Sequence, residues 1–378
     1  MMHFTEEQLM IRKVTREFAE KELLPGVVER DKHAIYPRDE IRKMQEAGFM
    51  GMMVDLLYGG GGMDTLSYVL AIEEISKIDA ACSVAMSVNN SLVCSILQTF
   101  GSEDQKDQYL RPLASGKWLG AFSLSEPQAG SDAIRQKTTA IPEGDHYILN
   151  GVKNWVTNGK YADVYIIMAV SNPENSQDSI NAFIVPSNTP GLSTGEKEDK
   201  MGIRASDTCS VILDQVRIPR SNRLGEEGSG FRIAMKALEG GRIGIAAQAL
   251  GIAGGAYERS LDYAQVRESF GVPLYKHQAI AFKLADMATQ LEAARLLVYQ
   301  AARDKDVGRS YSISGSMAKL FASETAMKIT TEAVQIHGGY GYVREYHVER
   351  LMRDAKITQI YEGTSEIQKV VISRSILK

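Results

Sequence analysis

Cysteine is scarce in this chain of 378 residues: only Cys82, Cys94 and Cys209 occur, and none lies in a C-x-x-C pair. A disulfide framework or a zinc ribbon is excluded as an organising device, and a reducing compartment fits. An excess of positive charge is also missing. Lys and Arg number 43 against 47 Asp and Glu, a net charge of −4, so nothing in the balance draws the chain to nucleic acid or an anionic bilayer. Long apolar runs are absent. The longest uncharged stretch, Ala80 to Ser102, is broken by Ser83, Ser87, Asn89, Asn90, Ser91, Ser95 and Gln98, and reads as a buried helix pair with no membrane insertion. At the N-terminus Glu6 and Glu7 stand where a signal or transit peptide would carry positive charge. The expected location is the cytoplasm, or the mitochondrial matrix for a processed chain.

Three ligand motifs are lacking as well: G-x-G-x-x-G after a strand, G-x-x-x-x-G-K-[ST], and H-E-x-x-H. Nicotinamide-fold, P-loop and zincin readings lose their support. The histidines (His3, His33, His146, His277, His337, His347) have no ligand spacing, and no metal site is expected. Ser316-Met-Ala-Lys319 has the bare S-x-x-K pattern, but its S-D-N and K-T-G partners are missing. It reads as a chance match on a helix.

What is present is a large soluble core: 44% of residues are hydrophobic, and the length suits two or three domains. Thr5-Glu-Glu-Gln8 is a capping box, followed by Ile11, Val14 and Phe18 at helical spacing until Pro25. Gly59 to Gly62 mark a loop, after which Leu66, Val69 and Leu70 resume the helical pattern. Between Lys117 and Arg223 short strand-like runs take over: Tyr147 to Leu149, Val164 to Met168, Ala182 to Val185, and the alternating Val211, Leu213, Val216 and Ile218. No long helices separate them, which predicts an antiparallel sandwich or barrel. Helical segments return at 231–266, 277–306, 310–336 and after Tyr361, and predict a bundle. The expected domains are an α-helical domain over 1–115, a middle antiparallel β domain over 116–224 and a C-terminal four-helix bundle over 225–378.

Three stretches mix glycine with hydroxyl, aromatic or acidic residues in a way no core requires. Phe122-Ser-Leu-Ser-Glu-Pro-Gln-Ala-Gly-Ser-Asp132 would expose backbone N–H groups to a polar ligand, or serve as an ordinary capping loop. In Asn154-Trp-Val-Thr-Asn158, Trp155 offers a flat apolar face and Thr157 a hydroxyl, although a lone Trp is usually core. In Ile360-Tyr-Glu-Gly-Thr-Ser-Glu-Ile-Gln368, Glu362 sits before a glycine and a helix cap. Desolvated, it would be a base with a raised pKa; solvated, it would be a first-turn acid favoured by the helix dipole.

Together with Arg267-Glu-Ser-Phe270, His277-Gln278, Gln335-Ile-His-Gly-Gly339 and Met352-Arg-Asp-Ala-Lys356, these stretches resemble the acyl-CoA dehydrogenase family over nearly the whole chain. Ser87 to Leu92, Lys197 to Ile203 and Gly241 to Ala253 are most similar to short-chain, butyryl-type members. The resemblance implies the three-domain arrangement above, FAD as cofactor, an acyl-CoA substrate, electron-transfer flavoprotein as acceptor, and a homotetramer. It assigns flavin contacts to Phe122, Leu124, Ser125, Ser131, Trp155, Val156, Thr157, Thr364 and Glu366. Arg267, Phe270, Gln278 and Gln335, Ile336, His337, Gly338 and Gly339 would reach the same cofactor from a neighbouring subunit. Ser131, Glu239, Gly240, Gly241, Arg242 and Gly363 would line the acyl-CoA site.

By the same resemblance, Glu362 removes the α proton while the β hydrogen leaves as hydride. Hydrogen bonds to the thioester carbonyl from the base's own N–H and a ribityl hydroxyl would stabilise the developing charge. Isovaleryl and long-chain relatives take their base from the position of Gly241, so those substrates are not expected. No Lys, Arg or His lies between Lys77 and Lys106, the stretch lining the acyl pocket in relatives, which argues against a dicarboxylyl substrate. Glu239 stands where many relatives carry Asp. The alternatives are a medium- or branched-chain dehydrogenase, a flavin oxidase or monooxygenase, and a non-enzymatic flavin-binding relative on the same fold.

Overall fold

The computed structural model describes residues 3–173 and 179–377. Helix α1 (Glu6–Phe18) starts at the expected capping box. The Thr5 side chain accepts from Gln8 N at 3.2 Å, and the Gln8 side chain accepts from Thr5 N at 3.1 Å. The helical path continues to Leu23 and turns at Gly26 into α2 (Val27–Lys32) and α3 (Arg38–Glu46). After the glycine loop comes α4 (Thr65–Ser76), capped by Asp64.

The uncharged stretch differs from the expected helix pair. It is one path, Ala80–Phe100, in which α5 (Ala80–Ser87) and α6 (Ser95–Phe100) are joined by a π-helical segment, Val88–Cys94. By length and hydropathy alone it could cross a membrane, but it is 94% buried inside the protein. Its polar residues have partners that a helix pair would not require: Asn89 and Asn90 donate to the carbonyls of Met50 and Phe49, both at 2.8 Å. Two short helices, α7 (Glu103–Gln105) and α8 (Arg111–Ala114), close the first domain.

The middle domain is built on β1 (Gly120–Ser123), β2 (Thr139–Glu143), β3 (His146–Thr157), β4 (Val164–Val170), β5 (Ile180–Pro186), β6 (Leu192–Thr194), β7 (Thr208–Pro219) and β8 (Arg223–Leu224). Their order is β6-β7-β3-β2-β4-β5-β8, with β1 also on β4. The sheet is mixed, whereas an antiparallel one was expected: β1 and β2 both pair parallel to β4. Strand β4 is buried along its whole length because it divides two cores. Val164, Ile166, Met168 and Val170 face the helices, while Tyr165, Ile167 and Ala169 face the second layer.

The last domain opens with α9 (Gly230–Val266) and a hairpin, β9 (Glu268–Ser269) and β10 (Val272–Pro273). Helices α10 (Gln278–Asp306), α11 (Ser312–His337), α12 (Val348–Ile357) and α13 (Ser365–Ile376) follow. The alanine-rich part of α9 is wholly buried and lies against α4. A Cβ on Gly251 would come within 2.3 Å of the Glu73 carbonyl, so only glycine permits that crossing. Helix α12 was not anticipated, and its charges tie the domains together. Arg350 donates to Ile78 O at 2.8 Å, Arg353 pairs with Asp31 at 2.6 Å, and Asp354 accepts from Ile203 N.

Candidate active site

Glu362 lies between α12 and α13, in a turn where it and Gly363 both take left-handed backbone angles, φ +56° and +88°. Such a conformation costs a non-glycine residue on the order of 1 kcal/mol or more and collects at functional sites. The turn is held from several sides. Thr364 caps α13 by accepting from Ile367 N at 3.3 Å, and Gln368 donates to the Gly363 carbonyl at 2.8 Å. The Tyr361 hydroxyl donates to Gln248 Oε1 on α9, and Gln248 in turn donates to Ala80 O and Ser83 Oγ at 2.9 and 3.1 Å.

The carboxylate points at α9. A Cβ on Gly241 would meet Glu362 Oε2 at 2.5 Å and Leu92 Cδ2 at 2.9 Å, so the glycine makes room for the acid. Glu362 as a residue is half-buried, but its Oε2 is shielded and has no hydrogen-bond partner. Burial pushes the carboxyl up to about 7, against the opposing charges of Lys319 and Arg242. A buried carboxylate oxygen with a free lone pair is equipped to take a proton. Gly240 and Arg242 are buried nearby, with Arg242 Nη1 3.3 Å from Ser316 Oγ. Glu239 is turned to Lys236, at 3.2 Å.

The first two stretches meet one another. Asn154 N donates to Ser125 O at 2.8 Å, and Lys153 Nζ reaches both Leu124 O at 3.1 Å and Glu126 Oε1 at 2.8 Å. Glu126 also accepts from Lys137 N and Thr138 N, at 2.6 and 3.0 Å. Burial would raise this carboxyl, but Lys153 and the N–H donors outweigh it and hold it at about 2. The β3–β7 register shifts between Lys153 and Val156, and Trp155 there takes φ +61°. The bulge turns its indole outward, leaving it 60% exposed.

Phe122 and Ser125 are half-buried, Leu124 is buried and Ser131 is exposed. Ser123 Oγ is buried without a partner. Val156 is the exception in this group: its side chain is in the β-domain core, and its carbonyl accepts from Gly159 N at 3.3 Å. The exposed indole and the half-buried Ser125 and Thr157 hydroxyls, on stretches that meet, are residues that fit the flavin expected from the sequence.

A third group lies on α9, the β9–β10 hairpin and the end of α11. Arg267, Ile336, His337, Gly338 and Gly339 line one cleft of about 560 Å³ together with Tyr263 and Tyr340. Phe270, at the hairpin tip with φ +51°, is 98% exposed, and Gln278 and Gln335 are exposed as well. His337 has a structural task, bonding Ala333 O through Nδ1 at 2.8 Å and stacking on Tyr263. Thr364 is committed to its cap, and Glu366 is exposed.

Sequence reasoning passed over Gln248, Gln368, Leu92 and Lys319. Lys319 was dismissed with its S-x-x-K pattern, yet it is fully buried and donates to the Gly363 carbonyl. Gln248, Leu92 and Lys319 acquire their roles by tertiary contact, whereas Gln368 bonds back to Gly363 within its own stretch.

Family models match the chain in three pieces: the acyl-CoA dehydrogenase N-terminal domain over residues 5–117, the middle domain over 121–216 and the C-terminal domain over 228–377. A protein of Clostridium acetobutylicum named acyl-CoA dehydrogenase, short-chain specific, is 47% identical over 100% of this chain and 99% of its own. Butyryl-CoA dehydrogenase from Megasphaera elsdenii superposes with a TM-score of 0.98 at 48% identity, covering 100% of both chains. A structure concerning the electron transferring flavoprotein of Acidaminococcus fermentans and flavin-based electron bifurcation contains a chain that matches at a TM-score of 0.99. That chain is 51% identical, and the match covers 100% of each.

Proposed function

This chain belongs to the acyl-CoA dehydrogenase family, and from that membership we propose that it oxidises butyryl-CoA to the trans-2-enoyl-CoA and passes the electrons to an electron-transfer flavoprotein. That it is an enzyme of acyl-CoA dehydrogenation with FAD as cofactor follows from the family. The short-chain preference is supported by its likeness to the short-chain and butyryl-CoA enzymes. The acceptor is supported by its likeness to the A. fermentans chain. A homotetramer and a cytoplasmic location complete the proposal, the latter supported by the likeness to bacterial proteins.

The observation that carries the reading is the Glu362 carboxylate, shielded from water, unpartnered at Oε2 and facing a glycine. We assign it the removal of the substrate's α proton, received at a carboxylate oxygen. FAD, when bound, supplies the acceptor for the β hydrogen as hydride. Phe122, Leu124, Ser125, Ser131, Trp155, Thr157 and the Val156 backbone would hold the cofactor. Thr364 and Glu366 would complete that set, and Arg267, Phe270, Gln278 and residues 335–339 would hold the cofactor of a neighbouring subunit. Gly241 makes room for the acid itself, and with Ser131, Glu239, Gly240, Arg242 and Gly363 it would line the acyl-CoA path. A buried setting makes each such charge contact stronger than it would be in water.

The test is turnover of butyryl-CoA with an artificial electron acceptor in wild type and Glu362→Gln. The variant is expected to keep its flavin and lose activity by at least about a hundredfold, the usual scale for a positioned base. Retained turnover removes Glu362 from the role.

A further inference from the structure

The buried amine of Lys319 lies in a place that the general chemistry of the site does not require. Placing an ammonium inside a protein is costly unless its donors and charge are used. Lys319, on α11, uses one donor on the Gly363 carbonyl, and the carboxylate it faces is that of Glu362. Gln368 donates to the same carbonyl from α13. One oxygen therefore anchors two donors from two helices, and it belongs to the second of the two left-handed residues that carry Glu362.

We propose that Lys319 is the positioning residue for the base: its grip on the Gly363 carbonyl fixes the left-handed turn that aims Glu362, and its charge favours the ionised carboxylate. The inference rests on the reading of Glu362 as base. Lys319 does not act alone on that carboxylate. Arg242 faces it from α9, Tyr68 from α4 and Tyr361 from its own segment, while Glu366 acts on Lys319. Of these, Lys319 alone joins a charge beside the acid to a direct bond on its turn. Burial lowers the amine and raises the acid, and their opposite charges oppose both shifts.

The experiment is anaerobic, single-turnover flavin reduction by butyryl-CoA across pH, with rates taken per bound flavin. Wild type, Glu362→Gln, Lys319→Met, Lys319→Arg and Gln368→Ala are compared. Reduction in wild type that Glu362→Gln abolishes establishes the base without reference to Lys319; reduction that survives Glu362→Gln brings down the base and this inference with it. With the base established, Lys319→Met is expected to be slower by about a hundredfold near neutral pH, the scale of a small misplacement. Its apparent base pKa is expected to rise by about one unit or more, the effect of losing an adjacent opposite charge. Lys319→Arg should recover most of the rate, and Gln368→Ala should slow reduction while leaving the pKa in place.

A Lys319→Met enzyme with the wild-type pH profile overturns the proposal, as does an equal pKa rise in Gln368→Ala. If Lys319→Met binds no flavin, Lys319→Arg decides: a base pKa at or below that of wild type supports the proposal, and a raised one overturns it.

Discussion

Gly241 on α9 faces Glu362 so closely that a single added methyl carbon would lie 2.5 Å from the carboxylate Oε2. The acid and the helix behind it are thus fitted to each other at one backbone position, with Leu92 closing the other side at 2.9 Å. Gly241→Ala should keep flavin but displace the carboxylate, and a displacement near 1 Å costs about a hundredfold in rate. Stopped-flow flavin reduction checks this, and an unimpaired Gly241→Ala enzyme would show that the acid moves freely.

The raised carboxyl sets the pH dependence. A base must be ionised to accept a proton, so with Glu362 at about 7 kcat/KM should climb as pH rises through about 7 and level off above it. Below that point the decline should approach tenfold per unit. A limb that instead breaks near the ordinary carboxyl value of 4.5 would mean the site is wetter than described.

Tyr361→Phe removes the donor to Gln248 Oε1 and leaves that buried oxygen without a partner. The expected cost is about 1–3 kcal/mol of stability, read as a lower denaturant midpoint with an unchanged slope. A larger share of the loss should appear in rate than in flavin content, because Tyr361 adjoins the base.

Glu126 and Lys153 form a buried pair that fixes the Ser125–Asn154 contact. Glu126→Ala leaves Lys153 buried and uncompensated, at a cost of roughly 3–5 kcal/mol, and should lower flavin retention. The pair also gives an acid signature. Glu126 has its folded pKa held at about 2 against an ordinary 4.5, so its contribution is full above 4.5 and lost as pH falls towards 2. Thermal melts of wild type and Glu126→Gln should therefore converge over that range; a constant gap would contradict the pairing.

Much of this was legible in the sequence, for reasons that are local. The Thr5–Gln8 box and the helical spacing after it depend only on near neighbours, and the glycine and threonine after Glu362 announce a turn into a helix. Helix α12 was not anticipated, since Met352 to Lys356 entered the reading only through a family resemblance and the segment is rich in charge. Arg350 and Asp354 are buried, and Arg353 is drawn in by its pairs with Asp31 and Glu349. The parallel pairing of β1 with β4 joins strands that are not neighbours in the chain, and strand composition does not encode direction. Lys319 was set aside with an S-x-x-K pattern that lacked its partner motifs, and only the packing of the turn against α11 gives it a role.

The most direct measurement mixes the purified protein anaerobically with butyryl-, octanoyl-, isovaleryl- and glutaryl-CoA and follows loss of the oxidised flavin absorbance. The account predicts rapid bleaching by butyryl-CoA, slower reduction by the longer and branched thioesters, and little by glutaryl-CoA. A flavin that butyryl-CoA leaves oxidised, or that glutaryl-CoA reduces equally well, would contradict it.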